Sequence, residues 1–137
     1  MKSFRLSNFV VTFAALLMAG CSPTSTVKVG YLQNTLPDGA EASYFTFDGT
    51  ERYSFKVKEG DEIRFVFDYR VEKGSLMFQL VSPGGEVVWT SPAHVDSGST
   101  SVSTDALESG RYKVLVIGEE TGGGYTYTCT ILEDPEN

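Results

Sequence analysis

The sequence predicts an all-β protein, an antiparallel β-sandwich or jelly roll of about eight strands. Apolar and polar residues alternate with a period of two in several short runs, and these runs are rich in β-branched and aromatic residues. Stretches that contain glycine, proline and aspartate separate the runs. After the first 20 residues, no window carries the apolar stripe of an amphipathic helix.

Alternation is clearest in five runs. Each places aromatic or aliphatic residues on one face and polar residues on the other, which is typical of an antiparallel strand with one face on the core. The runs are YSFKV (53–57), IRFVFDYR (63–70), SLMFQLV (75–81), RYKVLV (111–116) and YTYTCTI (125–131).

Glycine-containing stretches predict the turns between these strands. Asp48-Gly49, between YFTF and ERYSF, predicts a hairpin. Lys73-Gly74 and the triple glycine 122–124 predict two further breaks between strands. The remaining predicted turns are Glu59-Gly60, Pro83-Gly84-Gly85 and Ser109-Gly110.

The N-terminus predicts an export signal over residues 1–20. Lys2 and Arg5 form a short basic segment, and an apolar run follows from Phe9 to Met18. Ten residues span roughly 15 Å as a helix, against a hydrocarbon core of about 30 Å, so this run is too short to cross a membrane. A basic start, a short apolar run and small residues at its end are the layout of a cleaved signal.

Met18, Ala19 and Gly20 lead directly to Cys21, and this stretch resembles the lipobox of bacterial lipoproteins. The resemblance implies cleavage between Gly20 and Cys21, a diacylglycerol thioether on Cys21 and often an acyl group on the new amine. Met18 departs from the usual pattern, which prefers Leu at that place. Two or more acyl chains make a stable anchor, and we expect residues 21–26 to form the lipidated tether. An apolar core helix with an incidental cysteine is the alternative.

Charge limits the classes of partner. Removal of residues 1–20 leaves 117 of 137 residues, and the loss of Lys2 and Arg5 changes the formal net charge from −7 to −9. A single domain of this length buries a sufficient core. An acidic chain without a basic run argues against nucleic acid as a partner and against adhesion to anionic lipid headgroups.

The C-terminal run places Cys129 in a predicted core. If Cys21 is lipidated, Cys129 has no partner in the chain for a disulfide. Alternation puts it on the face of Tyr125 and Tyr127, which predicts a small buried apolar residue; a reactive thiol is the alternative. The opposite face, which we expect to face solvent, carries Thr126, Thr128 and Thr130.

No catalytic set is visible. His94 is the only histidine, and the chain has no Gly-x-Ser-x-Gly elbow. One histidine with scattered carboxylates is a poor basis for zinc, so we expect a loop histidine, no catalytic residue, no resident metal and no cofactor. Calcium is an open alternative, because oxygen-bearing side chains surround one predicted loop. They are Asp96, Ser97, Ser99 and Asp105, with Asp48 and Glu51 as further candidates.

Four residues are the candidates for ligand binding. Sugar sites need exposed aromatic faces with polar neighbours, which Trp89 and Tyr69 could supply, with Tyr31 and Tyr44 as further aromatics. Asp96 and Asp105 could bind a cation. The alternative for these aromatics is a place in the core or at its rim, because they alternate with polar or charged residues within strands.

Three longer stretches resemble the bacterial pre-peptidase C-terminal domain and, more loosely, GOLD-type β-sandwiches. They are YSFKVKEGDEIRFVF (53–67), GSLMFQLVSPGGEVVW (74–89) and LESGRYKVLVIGEETGGGYTYT (107–128). The resemblance implies a non-catalytic accessory or binding module on an exported protein, here without a preceding catalytic domain. We expect the β-sandwich over residues 27–132 and a frayed tail over residues 133–137.

Together these features predict a lipid-anchored, extracytoplasmic binding or interaction module on the cell membrane or the outer membrane. Its expected partners are the membrane, through the lipid on Cys21, and an envelope protein or a polysaccharide. A carbohydrate- or calcium-binding surface module and a structural spacer in an envelope assembly are the alternatives, and an enzyme is the least favoured class.

Overall fold

The computed structural model describes residues 26–133. The predicted signal peptide and the cleavage site at Gly20 and Cys21 lie outside the described residues. Between residues 26 and 133 the chain forms seven β-strands and no helix, so the predicted all-β class is confirmed. The strands are β1 (Val27–Val29), β2 (Leu32–Leu36), β3 (Gly39–Val57), β4 (Glu62–Val81), β5 (Val87–Thr90), β6 (Gly98–Asp105) and β7 (Gly110–Leu132).

Three long strands, β3, β4 and β7, each take part in two layers of an antiparallel sandwich. The first halves of β3 and β4 and the second half of β7 form sheet I, in the order β2-β3-β7-β4-β6. Their other halves form sheet II, in the order β1-β3-β7-β4-β5. The central strand β7 therefore joins the two layers and has β3 and β4 as neighbours in both.

The long strands bend where we expected turns, so three of the turn predictions are wrong. Asp48-Gly49 lies inside β3, and Gly74 and Gly123 lie inside β4 and β7. Register shifts mark all three bends, as expected where strands pass from one sheet to the other. Gly74 has φ +66°, and an added Cβ would lie 2.3 Å from two backbone carbonyl oxygens, so only glycine fits this corner.

Two other predicted turns are confirmed. The chain leaves sheet II at Val57 and enters sheet I at Glu62 through a tight turn, in which the Asp61 amide donates to the Lys58 carbonyl at 3.0 Å. The Pro83-Gly84-Gly85 segment joins β4 to β5, and the Gly85 amide donates to the Ser82 carbonyl at 2.9 Å.

The core lies between the two sheets and is rich in aromatic rings. Phe67 is at its centre, with Phe78 stacked at 4.2 Å and Phe65 at 5.7 Å between ring centroids. Aliphatic residues of sheet II complete the packing, and Val114 and Val116 are fully buried. The inward positions follow the alternation read from the sequence, since Tyr125 and Tyr127 are buried while Thr126 and Thr128 are not.

Candidate functional site: a groove on sheet I

The outer face of sheet I carries a row of hydrogen-bonding side chains that crosses all five strands. Alternation points Ala42, Phe67 and Tyr125 into the core, so their neighbours along each strand point away from it. Strand register then places one polar residue of each strand side by side. From β2 to β6 the row reads Asn34, Glu41, Thr126, Asp68 and Ser99.

A cavity of about 500 Å³ lies on this row, lined among others by Asn34, Glu41 and Asp68. A second cavity of about 600 Å³ adjoins it and is lined among others by Tyr31 and Phe45. The two cavities share three lining residues, so they form one continuous depression, which we call the sheet I groove. The shared residues are Leu32, Ser43 and Arg70.

The polar end of the groove presents fixed donors and acceptors. The Asn34 side-chain amide donates to Glu41 Oε1 at 3.1 Å, which holds a carboxamide and a carboxylate next to each other. Arg70 Nε donates to Glu72 Oε1 at 3.3 Å, so the guanidinium is oriented by an acid beside the groove. Because a carboxylate only accepts and a guanidinium only donates, this end offers both halves of a hydrogen-bonding surface.

The other end of the groove adds exposed apolar side chains to the charged ones that line it. Phe45 is 76% exposed and Leu32 is 71% exposed, large fractions for such side chains. The Phe45 ring lies against Gly30, where an added Cβ would come within 2.3 Å of the ring. The ring is therefore supported on one side by main chain while most of its surface faces solvent.

Three tyrosines line the groove, namely Tyr31, Tyr44 and Tyr125. The Tyr31 ring stacks on Tyr44 at 5.7 Å. The Tyr125 hydroxyl lies 2.7 Å from the Tyr53 hydroxyl and 3.3 Å from the Tyr31 hydroxyl, which links β7 to β3 and to the connection between β1 and β2. Burial raises the pKa of Tyr31, Tyr53 and Tyr125, so all three remain neutral over the physiological pH range. Tyr31, Tyr53 and Tyr125 thus form an uncharged, hydrogen-bonded cluster beside the groove.

The fold does not assemble the four predicted ligand-binding residues. Tyr69 lines the groove, with its ring stacked on His94 at 4.1 Å between centroids. The Trp89 ring stacks on Phe67 at 5.8 Å, with 5° between the ring planes, so that one of its faces packs against the core. The carboxylates of Asp96 and Asp105 are exposed elsewhere, the first before β6 and the second at its end. As ligand contacts, the four residues stay a prediction.

His94 attaches a connection to the sheet. Its main chain exchanges two hydrogen bonds with Leu76, at 2.8 and 3.0 Å, which fixes the segment between β5 and β6 against β4. Its Nε2 is buried and has no hydrogen-bond partner within residues 26–133. Burial lowers the pKa of His94 because the charged form is poorly solvated there.

The residues named for calcium do not form a metal site. Among the described residues, no group of three or more His, Cys, Asp or Glu side chains is arranged to hold a metal ion. Ser97 Oγ instead accepts a hydrogen bond from the Val71 amide at 3.1 Å. Cys129 is half-buried against the core, and burial raises the pKa of its thiol to about 11. Over residues 26–133 no helix is long and apolar enough to cross a membrane.

Sequence reasoning identified Thr126 as outward-facing but did not identify Asn34, Glu41, Asp68 and Arg70 as neighbours. Alternation shows which face a side chain takes within its own strand. It does not show which residues of distant strands stand opposite one another, and this register creates the row.

No protein-family model matches the sequence, and no curated protein matches it. Similar solved structures are β-sandwich domains. A CBM4 structure superposes with a TM-score of 0.54 at 8% identity, covering 85% of this chain and 83% of that one. The M60 catalytic domain with its CBM51 domains from Clostridium perfringens ZmpB gives a TM-score of 0.51 at 13% identity, over 81% of this chain.

The pre-peptidase C-terminal domain of a Bacillus anthracis collagenase is also similar, at 17% identity and a TM-score of 0.46, over 78% of this chain and 89% of that one. This chain spans 14% of the ZmpB structure and 19% of bacteriophage CBA120 tailspike protein 4, another match. At these identities the likeness shows the fold, an antiparallel β-sandwich. Membership of the pre-peptidase C-terminal or GOLD families stays a prediction.

Proposed function

We propose that this chain is a non-catalytic module that binds a polysaccharide in the sheet I groove. We further propose that the lipid on Cys21 holds it on the outer side of a bacterial cell membrane or on the outer membrane. The row of hydrogen-bonding side chains from Asn34 to Ser99 is the observation that carries the proposal.

The chemistry of the groove matches that of a sugar chain. Sugar rings present hydroxyls that both donate and accept, together with apolar C–H faces. The groove offers Asn34, Glu41 and Asp68 for the hydroxyls and the exposed ring of Phe45 for a C–H face. Five strands at about 4.8 Å spacing make the row roughly 19 Å long, enough for several sugar units.

The similar folds agree with this proposal without naming the sugar. The CBM4 structure is that of a carbohydrate-binding module by name, and this chain shares its sandwich. A site open along one sheet face favours an extended polymer over an enclosed small molecule, since enclosed pockets bury most of a small ligand.

Affinity electrophoresis tests the groove. The chain is run through native gels that contain a soluble β-glucan, a polyuronate or no polymer. We expect retardation by at least one polymer and a roughly tenfold or greater loss of affinity in Asp68→Ala and in Asn34→Ala, since each removes a hydrogen-bonding group. Glu119→Ala is the matched control, because that side chain is exposed and does not line the groove.

Three results would contradict the proposal or one part of it. Equal retardation of Asp68→Ala, Asn34→Ala and the control would place binding elsewhere, and failure of a wider panel of envelope polysaccharides would remove the polysaccharide as ligand. Release of reducing ends from a bound polymer would overturn its non-catalytic part. The anchor is tested separately, by the intact mass of the chain extracted from its native cell beside Cys21→Ala; we expect residues 21–137 plus diacylglycerol only with Cys21 present.

A further inference from the structure

Several cationic side chains lie together on the outer face of sheet II, although the chain as a whole is acidic. Alternation turns Phe55, Val114 and Leu80 into the core, so the residues between them face outward. Four outward positions on β3 and β7 carry exposed cationic side chains. They are Arg52, Lys56, Arg111 and Lys113.

These four are a large share of the available cations. The sequence has 18 Asp and Glu against 11 Lys and Arg, and two of those cations, Lys2 and Arg5, precede Cys21. The three ion pairs that the structure records between residues 26 and 133 use other cations, one on β1 and two on β4. The segregation therefore arises from the fold and is not a consequence of composition.

Two like charges are also placed directly opposite each other. Lys56 and Arg111 are cross-strand partners in the β3–β7 ladder, an arrangement that destabilises a sheet. The next two rows add Lys113 opposite Ser54, and Arg52 opposite Leu115. On β4, Val81 continues the row of Lys113 and Gln79 continues the row of Leu115. The outward positions of β3, β7 and β4 in these rows therefore hold no carboxylate.

Apolar side chains lie beside the cations. Leu115 and Ile117 on β7 and Met77 on β4 are half-buried on the same outward face, and Val87 on β5 is 53% exposed. A surface that combines cations with apolar side chains in one plane is typical of proteins that lie in the interfacial layer of a membrane. We call this surface, from Arg52 to Met77, the sheet II face.

We propose that the sheet II face docks on an anionic lipid bilayer. Its position relative to the N-terminus favours a membrane over an anionic polymer. Thr26 lies against Gly49, where an added Cβ would meet its side chain at 2.6 Å, and Arg52 follows three residues later on the same strand. Residues 21–26 extend at most about 20 Å, so an anchored Cys21 would hold this face near the lipid.

Docking of this kind orients the sheet I groove. The two outer faces lie on opposite sides of the sandwich, so a domain that rests on sheet II turns the groove away from the bilayer. Docking does not depend on what the groove binds. It differs from our expectation, drawn from the net charge, that the chain does not adhere to anionic headgroups. Net charge does not show this face, because the cations that form it are up to 61 positions apart in the sequence.

Vesicle co-sedimentation tests the docking apart from the anchor. The mature chain, residues 21–137 carrying Cys21→Ala, is mixed with vesicles of phosphatidylglycerol and phosphatidylcholine, or of phosphatidylcholine alone, so that neither the basic, apolar signal segment nor a lipid contributes to binding. We expect binding to the anionic vesicles only, and its loss between roughly 0.05 M and 0.5 M salt as the charges are screened. The double variant Lys56→Gln with Lys113→Gln, made in the Cys21→Ala chain, should bind the anionic vesicles about 30-fold more weakly than its parent. This estimate takes a loss of roughly fivefold for each cation removed.

The matched control is Arg64→Gln with Lys73→Gln, which removes the same charge from outside the sheet II face. Equal weakening in the two double variants would refute the docking face, since net charge alone would then explain binding. Absence of binding to anionic vesicles at low salt would refute it as well. Binding to dextran sulfate without binding to the vesicles would assign the face to an anionic polymer and overturn the lipid proposal.

Discussion

Two buried tyrosines in one cluster should respond in opposite ways to removal of the hydroxyl. The Tyr125 hydroxyl is 2.7 Å from Tyr53 and 3.3 Å from Tyr31. The Tyr44 hydroxyl is buried and forms no hydrogen bond of normal geometry within residues 26–133. The hydroxyl of Thr121 is its polar neighbour and is likewise without such a bond. Both rings are almost fully buried, at 3% and 5% exposure. Tyr125→Phe and Tyr44→Phe therefore make the same change in different surroundings.

The expected magnitudes follow from the hydrogen bonds. Tyr125→Phe removes two bonds and leaves the Tyr53 hydroxyl without its short partner, which costs about 1–3 kcal/mol. Tyr44→Phe removes a group already desolvated without a partner, so the free energy of unfolding should stay the same or rise by up to about 1 kcal/mol. For a domain of this size, about 1 kcal/mol moves the melting temperature by about 4 °C.

Thermal and urea unfolding, followed by circular dichroism, measure the difference. We expect Tyr125→Phe to melt about 4–12 °C below the parent chain and Tyr44→Phe to melt at or above it. The reasoning would be refuted if both variants lost the same stability, because the cluster would then depend on ring packing alone. Tyr127→Phe is a further control, since its hydroxyl belongs to neither bond.

Three further predictions concern the bends and the titrating groups. Gly74→Ala should lower the free energy of unfolding by more than about 2 kcal/mol or prevent folding, because its Cβ would meet two carbonyl oxygens at 2.3 Å. Gly85 has open space around it, so Gly85→Ala should lower that free energy less. Denaturant unfolding of the two variants measures the difference. Burial raises the pKa of Cys129 from 9 to about 11. The contribution of its neutral thiol to the free energy of unfolding is therefore fully present below pH 9 and is lost as the pH rises towards 11. Unfolding of Cys129→Ala should show a smaller decline over that range, and an identical decline would contradict this assignment. Burial lowers the pKa of His94 below its usual 6.5, so the free energy of unfolding should fall as the pH drops below 6.5. Acid titrations followed by fluorescence should show a smaller loss of stability in His94→Phe.

Alternation along the strands was enough to predict which residues face inward. Tyr125 and Tyr127 alternate with Thr126 and Thr128, and the structure buries the tyrosines and turns the threonines outward. This part was predictable because side-chain direction in a strand depends only on position along that strand. The prediction of the cleavage site and anchor at Cys21 is equally local, and stays a prediction.

The path of the long strands and the contacts between distant side chains depend on the packing of the whole domain. We predicted turns at Gly49 and Gly74 because glycine often marks a change of chain direction. In the structure both lie inside strands, which bend there from one sheet to the other and continue. The row that joins Glu41 to Asp68 through Thr126 and the opposition of Lys56 to Arg111 both come from pairing between strands far apart in the chain. Register of this kind is set by the packing of the whole sandwich, so no local pattern contains it.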